Sequence, residues 1–144
     1  MLGRQGNLVD PSLFALVLDH EVETAKRLGY CLSLLHMSPD VPPHEVTPAL
    51  VTRLAEAALR ELRSTDLTTT LTPFSLGVLL VDAPVQSLEG ILERISASAT
   101  TLTFSVGGSS FPQTAASSAE LVQQALELVT RARKDGGGRF YVAS

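Results

Sequence analysis

The chain has 144 residues, a formal net charge of −4 and a hydrophobic content of 44%, which suits one domain with a single core. The acidic balance, with an isoelectric point near 5.3, excludes a polymeric nucleic-acid partner, because neutralising a phosphate backbone requires a basic face. The single cysteine excludes an internal disulfide and no apolar run is long enough to cross a bilayer, so we expect a cytoplasmic protein.

The first predicted elements are a helix and a strand. Apolar residues recur at the spacing of one helix face before Gly29, namely Phe14, Leu18, Val22 and Ala25. This spacing predicts an amphipathic helix that ends at the glycine. The apolar residues 30–37 predict a strand after it. Residues 38–48 are rich in proline, which predicts a segment without regular structure.

A second helix is predicted from Thr47 to about Arg63. Thr47 is a suitable N-cap, and Pro48 is favoured in the first turn because its missing amide hydrogen is not needed there. Apolar residues mark the buried face of this helix, namely Val51, Leu54, Ala58 and Leu62. The helix is therefore expected to pack one side against a sheet.

Two stretches that follow predict a β-hairpin. Residues 66–71 and 74–82 are rich in β-branched and apolar side chains, and Thr72 and Pro73 lie between them. A proline at this point fits a turn.

The C-terminal part predicts a helix, a strand, a long helix and a last strand. The third helix is indicated by its apolar face, Leu88, Ile91, Leu92 and Ile95. Residues 100–111 predict a strand that loosens at Gly107 and Gly108. Ser117 and Glu120 form a capping-box pattern before a helix with the apolar face Leu121, Ala125, Leu128 and Ala132. Residues 139–143 predict the last strand, so helices and strands alternate around a central hairpin.

The pattern of the last forty residues resembles the closing part of the GGDEF domain family, the bacterial diguanylate cyclases. The matching positions are Ser105, Gly107, Pro112, Leu121, Ala125, Ala132, Arg133 and Gly136. The first helix also resembles that family through Phe14, Leu18, Glu21, Ala25, Arg27 and Gly29. The resemblance implies an α+β sandwich of the nucleotidyl-cyclase, ferredoxin-like type, with a five-stranded, mostly antiparallel sheet flanked by helices. It also implies a short lead, residues 1–9, before one degenerate GGDEF-like domain, residues 10–144.

The resemblance places the signature of the family on the tip of the predicted hairpin, where the chain departs from it. Thr72, Pro73, Phe74 and Ser75 stand where the family has two glycines and two acidic residues. Ser38 stands where the family has its other metal-binding aspartate. Magnesium requires carboxylate and phosphate oxygens, so we expect no metal site and no cyclase activity.

One binding feature of the family is retained in spacing. Arg63 and Asp66 form an Arg-x-x-Asp pattern five residues before Thr72, and Arg94 stands where the family has an assisting arginine. The resemblance implies an inhibitory-type site for cyclic di-GMP. The chemistry is suitable, because guanidinium binds guanine and phosphate in a bidentate manner.

The same three residues also have a purely structural interpretation. Arg63 lies in the last turn of a predicted helix, where a cation complements the helix dipole. Asp66 can cap the turn that follows, and Arg94 can be an ordinary exposed residue of its helix. The sequence leaves both interpretations open.

Three hypotheses on function follow. The first is a catalytically inactive GGDEF-like signalling module, in its sharper version a receptor for cyclic di-GMP through Arg63, Asp66 and Arg94. The second is a protein-interaction or scaffold domain that binds no nucleotide. The third is a cyclase with unconventional ligands such as Asp40. By analogy with the family, we expect a partner protein or a homodimer, and no cofactor is predicted.

Overall fold

The computed structural model describes residues 8–72, 74–99 and 101–144. Helices and strands follow the predicted order. The helices are α1 (Pro11–Leu28), α2 (Pro48–Glu61), α3 (Leu88–Ser98) and α4 (Ser118–Lys134). The strands are β1 (Leu32–Pro39), β2 (Leu67–Thr72), β3 (Ser75–Val81), β4 (Phe104–Phe111) and β5 (Phe140–Val142). Across these ranges, each helix is either too short or too polar to span a bilayer.

The five strands form one sheet in the order β2-β3-β1-β4-β5. The pairs β2–β3, β3–β1 and β1–β4 are antiparallel, and β4–β5 is parallel. The predicted α+β class with a mostly antiparallel, five-stranded sheet is therefore confirmed. β1 is the central strand and is buried along its whole length, because helices cover both faces of the sheet.

Two apolar cores lie on opposite faces of the sheet. Alternate side chains of a strand point to opposite faces, so Leu35 and Met37 of β1 belong to the core under α2 and α3. Leu32 and Leu34 belong to the other core, under α1 and α4. The predicted helix faces are largely confirmed. In α4, however, Val129 is buried in place of the predicted Leu128, which is partly exposed.

Polar caps define where the two N-terminal helices begin. The Asp10 side chain accepts a hydrogen bond from Leu13 N, and Pro11 follows it. The Thr47 side chain caps α2 in the same way. It accepts a hydrogen bond from Leu50 N, and Pro48 follows it. At the end of α1, Gly29 adopts a φ of 79°, a left-handed conformation that glycine enters without steric cost.

The proline-rich residues 38–48 contain more regular structure than predicted. β1 continues through Ser38 and Pro39, and a 3₁₀ turn covers Pro43–Glu45. Pro39 pairs with Phe104 at the end of the β1–β4 ladder. A proline is tolerated at such a strand end, where its missing amide hydrogen breaks little of the ladder.

The glycines of β4 do not loosen the strand, contrary to the prediction. β4 runs unbroken from Phe104 to Phe111 against β1. Gly107 lies directly under α4, and a Cβ built there would overlap Ala125 O and Val129 N. The glycine is needed for the close approach of the helix backbone to the strand.

We expect Gly107→Ala to lower the free energy of unfolding by about 3 kcal/mol, because an added methyl group in a filled space must push α4 away from the sheet. Gly90→Ala is the matched control. Its added Cβ finds only Arg94 Nη1, at 3.8 Å, and alanine favours a helix by about 1 kcal/mol over glycine. Urea unfolding measures both, and equal stability of the two variants would contradict the close packing at Gly107.

Candidate functional site

The sequence-predicted ligand residues come together in one pocket at the base of the β2–β3 hairpin. The pocket has a volume of about 460 Å³ and lies between the end of α2, the end of β3 and helix α3. We call it the arginine pocket, after its charged lining residues Glu61, Arg63, Asp66, Asp82 and Arg94. The structure therefore brings Arg94 together with Arg63 and Asp66, although Arg94 is distant from both in the sequence.

A buried carboxylate shapes one wall of the arginine pocket. Asp66 is only 2% exposed. Its Oδ2 accepts a hydrogen bond from Arg63 N at 2.9 Å, and its Oδ1 accepts one from Val81 N at 3.0 Å. These bonds satisfy backbone donors in the turn after α2 and at the end of β3. Asp66 therefore has the structural role that one interpretation of the sequence assigned to it.

Arg63 is held beside this carboxylate. Its Nε lies 3.6 Å from Asp66 Oδ2, and its side chain is 57% exposed. Its Nη2 also donates to Val81 O. The guanidinium thus lies at the mouth of the pocket, with one side against the protein and with solvent access.

Arg94 projects from α3 toward the end of α2. Its Nε lies 3.4 Å from Glu61 Oε1, with 58% of the Arg94 side chain exposed. Ser98 Oγ donates to the other oxygen of Glu61, Oε2, at 3.0 Å. Arg94 is therefore paired with a residue that the sequence analysis did not single out.

Glu61 and Asp82 are the two charged lining residues that sequence reasoning missed. Glu61 is the last residue of α2, where the helix dipole disfavours an anion. A glutamate at this unfavourable position was the one sign in the sequence that Glu61 has a partner elsewhere in the fold. Asp82 has a φ of 58°, a conformation that aspartate tolerates better than most residues. The lining thus holds three carboxylates against two guanidinium groups, which leaves one formal negative charge.

The opposite end of the hairpin carries a second, mostly uncharged pocket of about 250 Å³. We call it the hairpin-tip pocket. Its floor is formed by residues from β1 and the hairpin, namely His36, Ser38, Thr72, Phe74 and Ser75. Side chains of α4 form its other wall, and Arg133 is the charged residue among them. Of the predicted signature positions, Pro73 lies outside the described residues.

Neutral hydrogen bonds connect the floor of the hairpin-tip pocket. His36 Nε2 and Thr72 Oγ1 each lie 2.9 Å from Ser75 Oγ. Phe74 N donates to Thr72 Oγ1 at 3.0 Å, and the Phe74 side chain is exposed at the rim. The described residues that line this pocket include no carboxylate.

Asp40, the candidate for an unconventional metal ligand, is engaged elsewhere. Its Oδ1 accepts from Ser105 Oγ at 2.7 Å, and its Oδ2 accepts from Gly138 N at 2.6 Å. The carboxylate thereby holds the loop between α4 and β5 against the end of β1. In the described part of the chain, no group of three His, Cys, Asp or Glu side chains is arranged to hold a metal ion.

Comparison with known proteins gives matches in structure but not in sequence. No family model matches the sequence, and no curated protein matches it. The GGDEF domain of YfiN (TpbB) from Pseudomonas aeruginosa superposes with a TM-score of 0.86 at 19% identity, covering 95% of this chain and 97% of that one. The GGDEF domain of DgcB from Caulobacter crescentus, solved with c-di-GMP, gives 0.83 at 14% identity, covering 96% of this chain and 90% of that one.

A third similar structure is a complex between proteins. The diguanylate cyclase SiaD from Pseudomonas aeruginosa, solved with its activator SiaC, matches with a TM-score of 0.82 at 21% identity. The match covers 93% of this chain and 58% of SiaD. Together these matches show that the chain has the fold of GGDEF domains, as the resemblance in sequence implied.

Burial lowers the pKa of His36 to about 4, because the charged imidazolium loses its hydration in the core. His36 is only 7% exposed. In the unfolded chain the same imidazole takes up a proton near pH 6.5. Between these two values the unfolded state binds one proton more than the folded state, so folding stability falls as the pH falls.

We therefore expect the free energy of unfolding to decrease by about 3 kcal/mol from pH 6.5 to pH 4 through His36 alone. His36→Gln should remove this part of the pH dependence. His44→Gln is the matched control, because the His44 side chain is 80% exposed and its replacement leaves the buried imidazole in place. Urea unfolding across this pH range measures the slopes. Equal slopes for His36→Gln and the parent chain would show that the prediction is wrong.

Proposed function

We propose, from the GGDEF-domain fold of this chain, that it is a catalytically inactive signalling module that binds cyclic di-GMP in the arginine pocket. One observation carries the proposal. The resemblance to the GGDEF family assigns Arg63, Asp66 and Arg94 to one ligand site, and all three line the same pocket in the folded chain.

The chemistry of the arginine pocket suits a guanine nucleotide. Arg63 and Arg94 each expose more than half of the side chain, so both guanidinium groups can reach a ligand. Each can bind guanine O6 and N7 in a bidentate manner or pair with a phosphate. The proposed role of Asp66, which lines the pocket, is to accept from guanine N1 and N2 through its carboxylate oxygens.

Loss of the cyclase reaction is supported by the hairpin-tip pocket. A magnesium ion that bridges phosphates takes oxygen ligands, with carboxylates as the usual protein donors. The positions that the resemblance assigns to those carboxylates hold Ser38, Phe74 and Ser75. Ser75 is also engaged with His36, so the site is filled by neutral side chains.

A scaffold domain that binds proteins and no nucleotide is the second candidate. Two large side chains of α1, Leu16 and Leu28, are 68% and 66% exposed, and Val122 and Leu126 of α4 are 41% and 43% exposed. The proposed partner would cover these apolar side chains. The similar protein SiaD was solved with a protein activator, so a partner protein or a second copy of this chain is the expected binder.

Titration of cyclic di-GMP into the purified chain by calorimetry distinguishes the two candidates. We expect micromolar binding that Arg63→Ala weakens by about tenfold or more, because a hydrogen bond to a charged group contributes about 1.5–3 kcal/mol. Arg53→Ala is the matched control, since Arg53 lies outside the arginine pocket and contacts Thr101. If the parent chain does not bind cyclic di-GMP, the receptor proposal is wrong and the scaffold candidate remains.

Arg63 is a better test than Asp66. Removing the Asp66 carboxylate leaves Arg63 N and Val81 N without their acceptor, which costs stability as well as ligand contacts. Arg63→Ala keeps the backbone donor Arg63 N and removes a side chain that is 57% exposed, and the unfolding midpoint of the variant measures any loss of folding.

The loss of catalysis has its own test. We expect no cyclic di-GMP when the chain is incubated with GTP and magnesium, because the hairpin tip lacks the carboxylates that would hold the ion. Chromatography of the reaction mixture measures the product, and a GGDEF domain with an intact signature serves as the positive control. Any product from this chain above the no-protein background would overturn the proposed inactivity.

A further inference from the structure

The arginine pocket contains an internal competitor for one of its two arginines. Glu61 Oε1 lies 3.4 Å from Arg94 Nε, and Glu61 Oε2 accepts a hydrogen bond from Ser98 Oγ at 3.0 Å. The Glu61 side chain is 23% exposed, against 58% for Arg94. The carboxylate is therefore fixed at both oxygens and occupies the Nε edge of the guanidinium.

Local structure does not account for this glutamate. Glu61 ends α2, where the partial negative charge of the helix terminus repels a carboxylate. Its position is stabilised instead by contacts with α3, through Arg94 and Ser98. These tertiary contacts point to a role of Glu61 in the pocket between the two helices.

The net charge of the arginine pocket also indicates that its carboxylates oppose an anionic ligand. Three carboxylates, Glu61, Asp66 and Asp82, face two guanidinium groups in the lining. Cyclic di-GMP brings two phosphate charges, and like charges within a few ångströms repel one another strongly at a partly buried site. A dianionic ligand must therefore approach Arg94 against the charge of Glu61, and the Nε edge of that guanidinium is occupied while the pair is formed.

We infer that Glu61 lowers the affinity of the arginine pocket for dianionic nucleotides by competing with the ligand for Arg94. The inference rests on the proposed function of this pocket.

The test compares two variants that remove the same formal charge from the same pocket. Glu61→Gln releases Arg94 and keeps an oxygen acceptor for Ser98 Oγ. Asp82→Asn leaves the Glu61–Arg94 pair in place, and asparagine tolerates the positive φ of 58° at this position. Cyclic di-GMP is titrated into each variant and the parent chain under identical salt conditions.

We expect Glu61→Gln to tighten binding by about fivefold, which corresponds to the upper range of a partly exposed ion pair. Asp82→Asn should tighten binding by about twofold or less, and this gain should shrink with added salt because it reflects general repulsion. The double variant Glu61→Gln, Arg94→Ala should show no gain over Arg94→Ala alone. Unfolding midpoints of all variants identify any loss of folding.

The outcomes separate the inference from the proposed function. If the parent chain binds and Glu61→Gln tightens binding no more than Asp82→Asn, the inference is overturned and the proposed function stands. If only Glu61→Gln binds, the inference is supported and the proposed function of the natural chain fails. If neither binds cyclic di-GMP, both are overturned.

Discussion

The buried carboxylate of Asp66 is the contact on which the arginine pocket depends. An ionised group in the core is costly unless it is paired and hydrogen-bonded. Here two backbone amides, from Arg63 and Val81, supply the bonds, and the Arg63 guanidinium lies beside the carboxylate. The turn after α2 is thereby tied to the end of β3, so the pocket is part of the core and not a feature of a loose loop.

The β2–β3 hairpin has two ends of different chemistry. At the base, carboxylates and guanidinium groups face one another across the arginine pocket. At the tip, Thr72, Ser75 and His36 form a chain of neutral hydrogen bonds under α4. Burial keeps the imidazole uncharged by lowering its pKa to about 4. A single hairpin thus carries charge where ligand recognition is proposed and lacks it where a metal ion would need it.

Close packing connects these two ends to the rest of the fold. β1 runs through the centre of the sheet and contributes His36 to the hairpin-tip pocket, while Gly107 of β4 allows α4 to approach the sheet. Asp40 then anchors the loop after α4 to the end of β1. The Asp40 carboxylate is consequently used for structure.

The sequence by itself determined the order of helices and strands, because periodicity and caps are local properties of a chain. The resemblance of its residue pattern to the GGDEF family implied the five-stranded sheet and the two arginines of the pocket. The sequence did not reveal that β4 continues through its glycines or that Val129 replaces Leu128 in the core, since both depend on how α4 packs. The tertiary structure alone decided that Glu61 meets Arg94 and that Asp40 meets Gly138. Charge pairs between distant segments leave no periodic signal, and only the folded chain brings their partners within reach.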